Sequence, residues 1–450
     1  MSRFVRNLLC TVLAGALAAA NGQAQLLGSG GLIGPVSLPI GGVTGNIPVV
    51  APAIQNLLSS PQARQAIQPT LDSVAGLPEA IAQSGAPTLE DLRRLRLEQL
   101  VRQNRAVLET DDKGEPVRRG IVVVLDPDPQ SLQIVGRAGF RIVAQSPEPQ
   151  LGMNLVQLSV PQGMSVHSAL KLLKKVVPAM DADFDHVFEP AGGALRPATV
   201  PLLASTAAMS SAAGRTIGMI DGGVASNPSL GSASIEQNGF AGPPKATGHG
   251  TAVASLLVGN DGRFHGAAVG ARLLVADVYG GSEAAGSASV IVRALAWLAS
   301  KQPQVINISL VGPPNKALER AIAAVQAQGI EVVAAVGNDG PAAPPQYPAS
   351  YAGVVSVTAV DAHGQALPEA GKAVHLDFAA PGADMAAALP GRGFARVRGT
   401  SFASPLVAAR LVFAGSPQRL TAEAEPGHGR VGRGIVCGSC RIDPRSVGAK

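Results

Sequence analysis

Apolar residues fall along this chain in three patterns, and each predicts a different kind of structure. From Leu26 to Ala63 there is no charged residue, but short apolar pieces such as Ile47-Pro48-Val49-Val50 are broken by Pro and Gly. That composition predicts a loosely attached segment, or a stretch that docks on another surface. From Thr88 to Glu109 the spacing is helical. Thr88 stands at the cap, and Leu89, Leu92, Leu100 and Val107 make an apolar face among Arg and Glu. The turn residues Asp111-Asp112-Lys113-Gly114 end it.

Between 120 and 190 the pattern alternates. Strands are predicted at Ile121–Leu125, Phe140–Ala144, Leu155–Val160 and Asp185–Pro190, with helices at Pro129–Gly139 and Ser165–Val177. The order β-α-β-β-α-β is that of a split ferredoxin-like unit. Asp181, Asp183 and Asp185 alternate, but His186 stands where a calcium loop needs Gly, so they read as turn carboxylates. The third pattern begins after Arg215. Thr216–Ile220, Leu273–Val278, Val305–Ser309, Ile330–Val336 and Val354–Val360 are short, continuous apolar runs, with helical stretches at Ser287–Ser300 and Asn315–Gln328. Continuous runs separated by helices predict buried parallel strands and an α/β fold.

The ends of the chain add targeting and redox information. Arg3 and Arg6 precede the apolar run Leu8–Ala20, and small residues at Ala18-Ala19-Ala20 and Gly22-Gln23-Ala24 offer cleavage sites. This is the pattern of a signal peptide, and the run is too short for a transmembrane helix. The expectation is export, to the periplasm or beyond the cell, with no transmembrane segment left after signal cleavage. Cys437 and Cys440 stand in a Gly/Arg-rich tail with no second pair to complete a zinc site, so a local disulfide or two idle thiols is expected. Aromatic residues make up only 3% of the chain, too few to stack bases, and nucleic acid is not an expected partner. A net charge of +5 over 450 residues implies a solvated surface.

The chemistry lies in a few short motifs. Ile220-Asp221-Gly222-Gly223 follows a strand. Gly248-His249-Gly250-Thr251 opens one helical run, Ala252–Val258. Gly399-Thr400-Ser401-Phe402-Ala403-Ser404-Pro405 opens another, Leu406–Phe413. A serine needs a base to become a nucleophile, and the base needs a carboxylate to orient it. A carboxylate at a strand end and a histidine and a serine at two helix starts can meet above a parallel sheet. The Ser401 N–H, in a first helical turn, is free to meet a developing oxyanion.

The blocks D-G-G, G-H-G-T-A-V-A-S and G-T-S-F-A-S-P, in this order, resemble the signature blocks of the subtilisin-like serine proteases. A fourth, Val333-Ala334-Ala335-Val336-Gly337-Asn338-Asp339-Gly340, is similar to the block with the family's oxyanion-hole asparagine. The resemblance covers roughly 214–414 and implies a doubly wound parallel sheet and a serine endopeptidase without cofactor or catalytic metal. It implies catalytic roles for Asp221, His249, Ser401 and Asn338. It further implies that Ser309, Leu310, Val311 and Gly312 pair with extended substrate. Ala334, Ala335, Val336 and Gly337 would line the primary pocket, whose small walls leave room for a large apolar residue, with Asp339 at its rim also open to Lys or Arg.

The ferredoxin-like unit is similar to the family's propeptides, which assist folding and inhibit. The expected order is therefore signal peptide 1–24, Gly/Pro-rich segment and helix 25–119, propeptide-like domain 120–190, processing region 191–213, catalytic domain 214–414 and tail 415–450. Expected partners are protein or peptide substrates and the chain's own propeptide, cut off by the enzyme itself between Glu189 and Arg215. Two departures stand out. Gly222 replaces the usual Ser or Thr, and Arg410 falls in a helix expected to be buried, before a tail with little helical pattern. A non-catalytic, exported binding scaffold is the alternative function class.

Overall fold

A computed structural model describes residues 88–191, 211–391 and 393–449. The signal-peptide reading and most of the processing region lie outside the described residues.

Helix α1 (Leu89–Gln103) is shorter than its apolar spacing predicts, and the chain after it turns into a short strand, β1 (Leu108–Thr110). Then follow β2 (Pro116–Leu125), α2 (Pro129–Arg137), β3 (Arg141–Glu148), β4 (Met153–Ser159), α3 (Val166–Val176) and β5 (Asp181–His186). The strands form one antiparallel sheet with neighbours β1-β2-β4-β3, and β5 also pairs with β2. Val122, Val124, Val156 and Leu158 on one face pack on Val166, Leu170 and Leu173 of α3. Asp128 caps α2 and Ser165 caps α3, each by accepting a backbone N–H.

The single strand predicted at 185–190 is in fact two. β5 ends at His186, and β6 (Glu189–Pro190) leaves this sheet for another partner. The carboxylates predicted in a turn belong to β5, and they bond across to the larger domain. Asp183 accepts the Lys316 N–H (2.8 Å), and Asp185 accepts the Ser289 N–H (2.9 Å), at the starts of two helices there. Burial pushes the Asp185 carboxyl above its ordinary range, against the pull of the Ser289 bonds.

The larger domain is built on a seven-stranded parallel sheet. Its members are β7 (Thr216–Asp221), β8 (Ser234–Gly239), β9 (Arg272–Asp277), β10 (Val305–Ile308), β12 (Glu331–Ala335), β13 (Val355–Val360) and β14 (Phe378–Pro381), in the order β14-β13-β12-β10-β7-β9-β8. The continuous apolar runs arise because both faces are covered. Ile217, Met219, Val275, Val333 and Val357 face α4 (Gly248–Val258) and α7 (Thr400–Ala414). Ile220, Ala276, Ile306, Ile308 and Val332 face α5 (Ala288–Lys301) and α6 (Lys316–Gln326). The antiparallel domain packs on this second layer, with Val123, Leu151, Met153 and Leu155 in the same core.

After β9 the chain crosses β7 to lay down β10 on its other side. The crevice at the carboxyl ends of strands around such a switch is where open α/β sheets bind ligands.

The tail is folded into the core by irregular backbone. Ala379 of β14 accepts the Val436 N–H (2.7 Å), and Val436, Cys440, Ile442 and Val447 are buried with α7. Cys437 and Cys440 are joined in a disulfide. Arg410 lies on the open side of α7, where its guanidinium bonds Glu423 (2.7 Å).

Candidate active site

Asp221 is the last residue of β7, at the switch point. Its side chain is 2% exposed, and its Oδ1 accepts the Gly222 N–H (2.6 Å). His249 is the second residue of α4. Thr247 caps that helix by accepting the Gly250 N–H (2.9 Å). The helix can sit this close to β7 only because residue 250 lacks a side chain. A Cβ there would stand 2.2 Å from the Gly222 carbonyl oxygen. His249 Nδ1 lies 2.9 Å from Asp221 Oδ1, and its Nε2 lies 2.9 Å from Ser401 Oγ. Phe402 covers the imidazole, with ring centroids 5.4 Å apart.

Ser401 opens α7 after Gly399, whose φ of +139° only glycine adopts readily. The helix start is held from two sides. Asn338 Oδ1 accepts the Thr400 N–H (3.0 Å), and Thr400 Oγ1 accepts the Gly337 N–H (3.1 Å). These bonds use the Asn338 oxygen and leave its amide nitrogen for another acceptor.

Among the described residues, Asp221 Oδ2 is buried without a hydrogen-bond partner. Residue 222 has no side chain to offer one, and a Cβ on Gly222 would come within 2.4 Å of Thr247 Oγ1. Thr247 fills the room that a side chain at 222 would need.

The cleft beside these residues contains the chain's own residues 188–191. β6 pairs antiparallel with β11 (Leu310–Val311), Pro190 opposite Leu310 and Glu189 opposite Val311. The Ala191 N–H donates to the Ser309 carbonyl (2.9 Å), and the Phe188 N–H donates to the Gly286 carbonyl (2.8 Å). The Asn338 side-chain amide donates to the carbonyl oxygen of Ala191. The Ala191 methyl packs on Val311 and Ala335. Phe188 is fully buried. Its ring lies where a Cβ on Gly312 would come within 2.6 Å, and its carbonyl accepts the Tyr279 hydroxyl (3.1 Å). Burial, with Asp221 nearby, pushes the Tyr279 phenol well above its ordinary range, so it stays a donor.

Asp221, His249, Ser401 and Asn338 thus stand together, and Ser309–Gly312 lies along residues 188–191. Of the expected pocket wall, Ala335 packs with the Ala191 methyl. Ala334 and Val336 point to the opposite face of the sheet, as alternation along a strand requires. Gly337 faces Val311 and Gln346. Asp339 pairs with Arg93 and Arg96 of α1, and Arg96 also reaches Glu189. Sequence reasoning missed Thr400, Tyr279 and Gly286. Thr400 stood within the quoted serine motif, but nothing marked its hydroxyl as the brace of the oxyanion segment.

Residues 212–422 match the model of the Subtilase family. Subtilisin Savinase of Lederbergia lenta is 35% identical over 201 residues, which are 43% of this chain and 74% of that protein. The Alkaline protease of Shouchella clausii is also 35% identical over 201 residues, 52% of its own length. The crystal structure of fervidolysin from Fervidobacterium pennivorans, a keratinolytic enzyme related to subtilisin, shares the fold. Its TM-score is 0.62 at 19% identity, over 74% of this chain and 62% of that one. With a relative at this identity matched over most of its length, the chain belongs to the subtilase family of serine endopeptidases.

Proposed function

We propose that this chain is an exported, self-maturing serine endopeptidase, with Asp221, His249 and Ser401 as its triad and Asn338 in its oxyanion hole. One observation carries the reading. The Ala191 carbonyl oxygen accepts the Asn338 amide while Ser401 Oγ, the attacking atom, is bonded to His249. That is the pose of a bound peptide, and the peptide is the chain itself.

In this reading Ser401 Oγ adds to the carbonyl carbon of Ala191 as its proton passes to His249 Nε2. Asp221 holds the imidazole and stabilises its charge. The oxyanion is met by the Asn338 amide and the Ser401 N–H. His249 returns the proton to the leaving nitrogen of Gly192, and the Ala191–Gly192 bond breaks. Water then adds to the acyl-enzyme by the same route in reverse and releases Ser401.

The α+β domain, residues 89–191, acts as the propeptide. Its β5 carboxylates engage two helix starts of the catalytic domain, and its last four residues fill the cleft. Export is supported by the basic, then apolar, then small-residue order of residues 3–24. Among the described residues no helix is long and apolar enough to cross a membrane. The scaffold alternative was drawn from the unusual tail. The burial of Val436, Ile442 and Val447 of that tail with α7 supports the enzyme reading over it.

A fluorophosphonate probe on the processed protein tests the enzyme reading. Labelling should appear, and should vanish in Ser401→Ala. Equal labelling of the two proteins would reject Ser401 as the nucleophile.

A further inference from the structure

Helix α1 lies outside the ferredoxin-like unit, and besides its buried Leu92, Leu95 and Leu97 it turns two arginines inward. Its two ends are anchored by apolar contacts. The Leu89 side chain lies against Gly340, and Leu100 and Val101 pack with Val187 and Ala284. Arg93 and Arg96, one turn apart, project between these anchors. Arg96 Nη2 bridges two carboxylates, Glu189 Oε2 at 3.2 Å and Asp339 Oδ1 at 3.1 Å. Arg93 Nε lies 3.2 Å from Asp339 Oδ2, and its Nη2 lies 2.8 Å from Glu115. Asp339 is only 5% exposed at its side chain, because these two guanidinium groups cover it. Among the described residues they are the only cations paired with it.

Glu189 is the third residue before the proposed scissile bond. It sits one guanidinium nitrogen away from Asp339, and a second catalytic-domain carboxylate, Glu283, directly precedes Ala284, which packs with Val187 and with Leu100 and Val101 of α1. Burial, then the Glu189 charge, pushes the Glu283 carboxyl above its ordinary range. Asp339 and Glu189 therefore share one guanidinium, Glu283 stands in the loop that borders Val187 and α1, and Arg96 belongs to the part that leaves. Without α1, a glutamate at this substrate position meets two like charges, whereas a Lys or Arg would reach Asp339 directly.

We propose that Asp339 and Glu283 form an acidic subsite for a Lys or Arg side chain at the third substrate residue before the scissile bond, which Arg93 and Arg96 of α1 occupy and neutralise in the intact chain. The proposal rests on the reading of residues 188–191 as bound substrate. It makes α1 the part that permits Glu189 to lie in the cleft. Once the Ala191–Gly192 bond is cut and α1 lifts away, Glu189 opposes Asp339 and Glu283, and the spent segment is repelled.

The test uses protein matured from the full chain and three peptide anilides that differ only in the third residue before the cut: Phe-Arg-Pro-Ala, Phe-Ala-Pro-Ala and Phe-Glu-Pro-Ala. At low salt kcat/KM should fall in that order, about tenfold from Arg to Ala, as expected for one charge pair in a partly desolvated cleft. The Glu peptide should be slower again. Asp339→Asn should compress the rates taken relative to the Ala peptide, and so should 1 M salt, where screening acts within ~3 Å. Equal rates for the three peptides would overturn the acidic subsite and leave the triad reading intact. If no peptide is cut, or if cleavage survives Ser401→Ala, the triad reading fails, and the subsite with it.

A second measurement needs no activity. In the uncut Ser401→Ala chain, Arg96→Glu should speed hydrogen exchange at the Ala191 amide about tenfold or more. Adding Glu189→Arg should restore protection, since the introduced arginine meets Asp339, Glu283 and the introduced glutamate. If the double variant exchanges as fast as Arg96→Glu alone, the charge account of this position is wrong.

Discussion

Truncating Phe188 probes how tightly the chain holds its own residues in the cleft. The ring is fully buried and walled by Gly312, while at Gly286 a Cβ would meet Tyr279 at 2.4 Å and the Phe188 carbonyl at 3.0 Å. Removing a buried Phe side chain costs ~3–5 kcal/mol in a close-packed core. This pocket is a cleft that water can refill, so the lower end, about 3 kcal/mol, applies. That corresponds to roughly 150-fold in the opening equilibrium of the segment. Hydrogen exchange on the uncut Ser401→Ala chain reads it, because the Ala191 N–H is protected by the Ser309 carbonyl. Phe188→Ala should accelerate that amide by about two decades while the β7 and β10 amides keep their rates. Gly312→Ala should do much the same from the other side, since its Cβ would stand 2.6 Å from the ring. Combining the two should cost less than the sum, because the truncated side chain no longer meets the new methyl. Exchange at Ala191 within threefold of the parent in Phe188→Ala would refute the idea that this ring anchors the segment.

Three further outcomes follow from the same geometry. Asn338→Ala should lower kcat by ~10²–10³, the size known for subtilisin's own oxyanion asparagine, with KM nearly unchanged in steady-state assays. A rise in KM alone would make Asn338 a ground-state contact. Gly250→Ala drives a Cβ into the Gly222 carbonyl, so thermal melts should show a loss of about 1–3 kcal/mol, with a larger loss of activity as His249 is displaced. Asp185 titrates above its ordinary 3.8 when buried, so the folded chain holds a proton there that the unfolded chain has lost. Its contribution to the stability of the uncut Ser401→Ala chain should be full below pH ~4 and fall as pH rises through the raised value. Asp185→Asn should flatten that part of the melting-temperature profile, and an unchanged slope would remove Asp185 as its source.

The parallel sheet was legible because strands covered on both faces are continuous apolar runs, and β7, β9, β10, β12 and β13 fall within a residue or two of theirs. β8 was missed because Ser234–Gly239 is an edge strand, exposed and largely polar. The hairpin of β15 (Met385–Ala388) and β16 (Phe394–Val397) is small-residue sequence with few β-branched positions. β6 has two residues, too few for any period to show, and its partner β11 is 120 residues away in sequence. The tail gave no signal because its burial comes from single backbone bonds to β14, not from an amphipathic stripe. In α1 the Arg-rich face reads as solvated until the acidic cluster that covers it is known. The resemblance implies a place for Asp339 at the rim of the primary pocket. Its carboxylate pairs with Arg93 and Arg96 of α1, and Arg96 also reaches Glu189, a partnership between distant segments that no local pattern announces.

The central claim is that Ser401 attacks the Ala191 carbonyl of its own chain. N-terminal sequencing of the larger fragment from the wild-type chain and from Ser401→Ala tests it most directly. The account predicts a wild-type fragment beginning at Gly192 and an uncut Ser401→Ala chain. A fragment beginning at Gly192 in both proteins would contradict it, because another protease would then have made the cut.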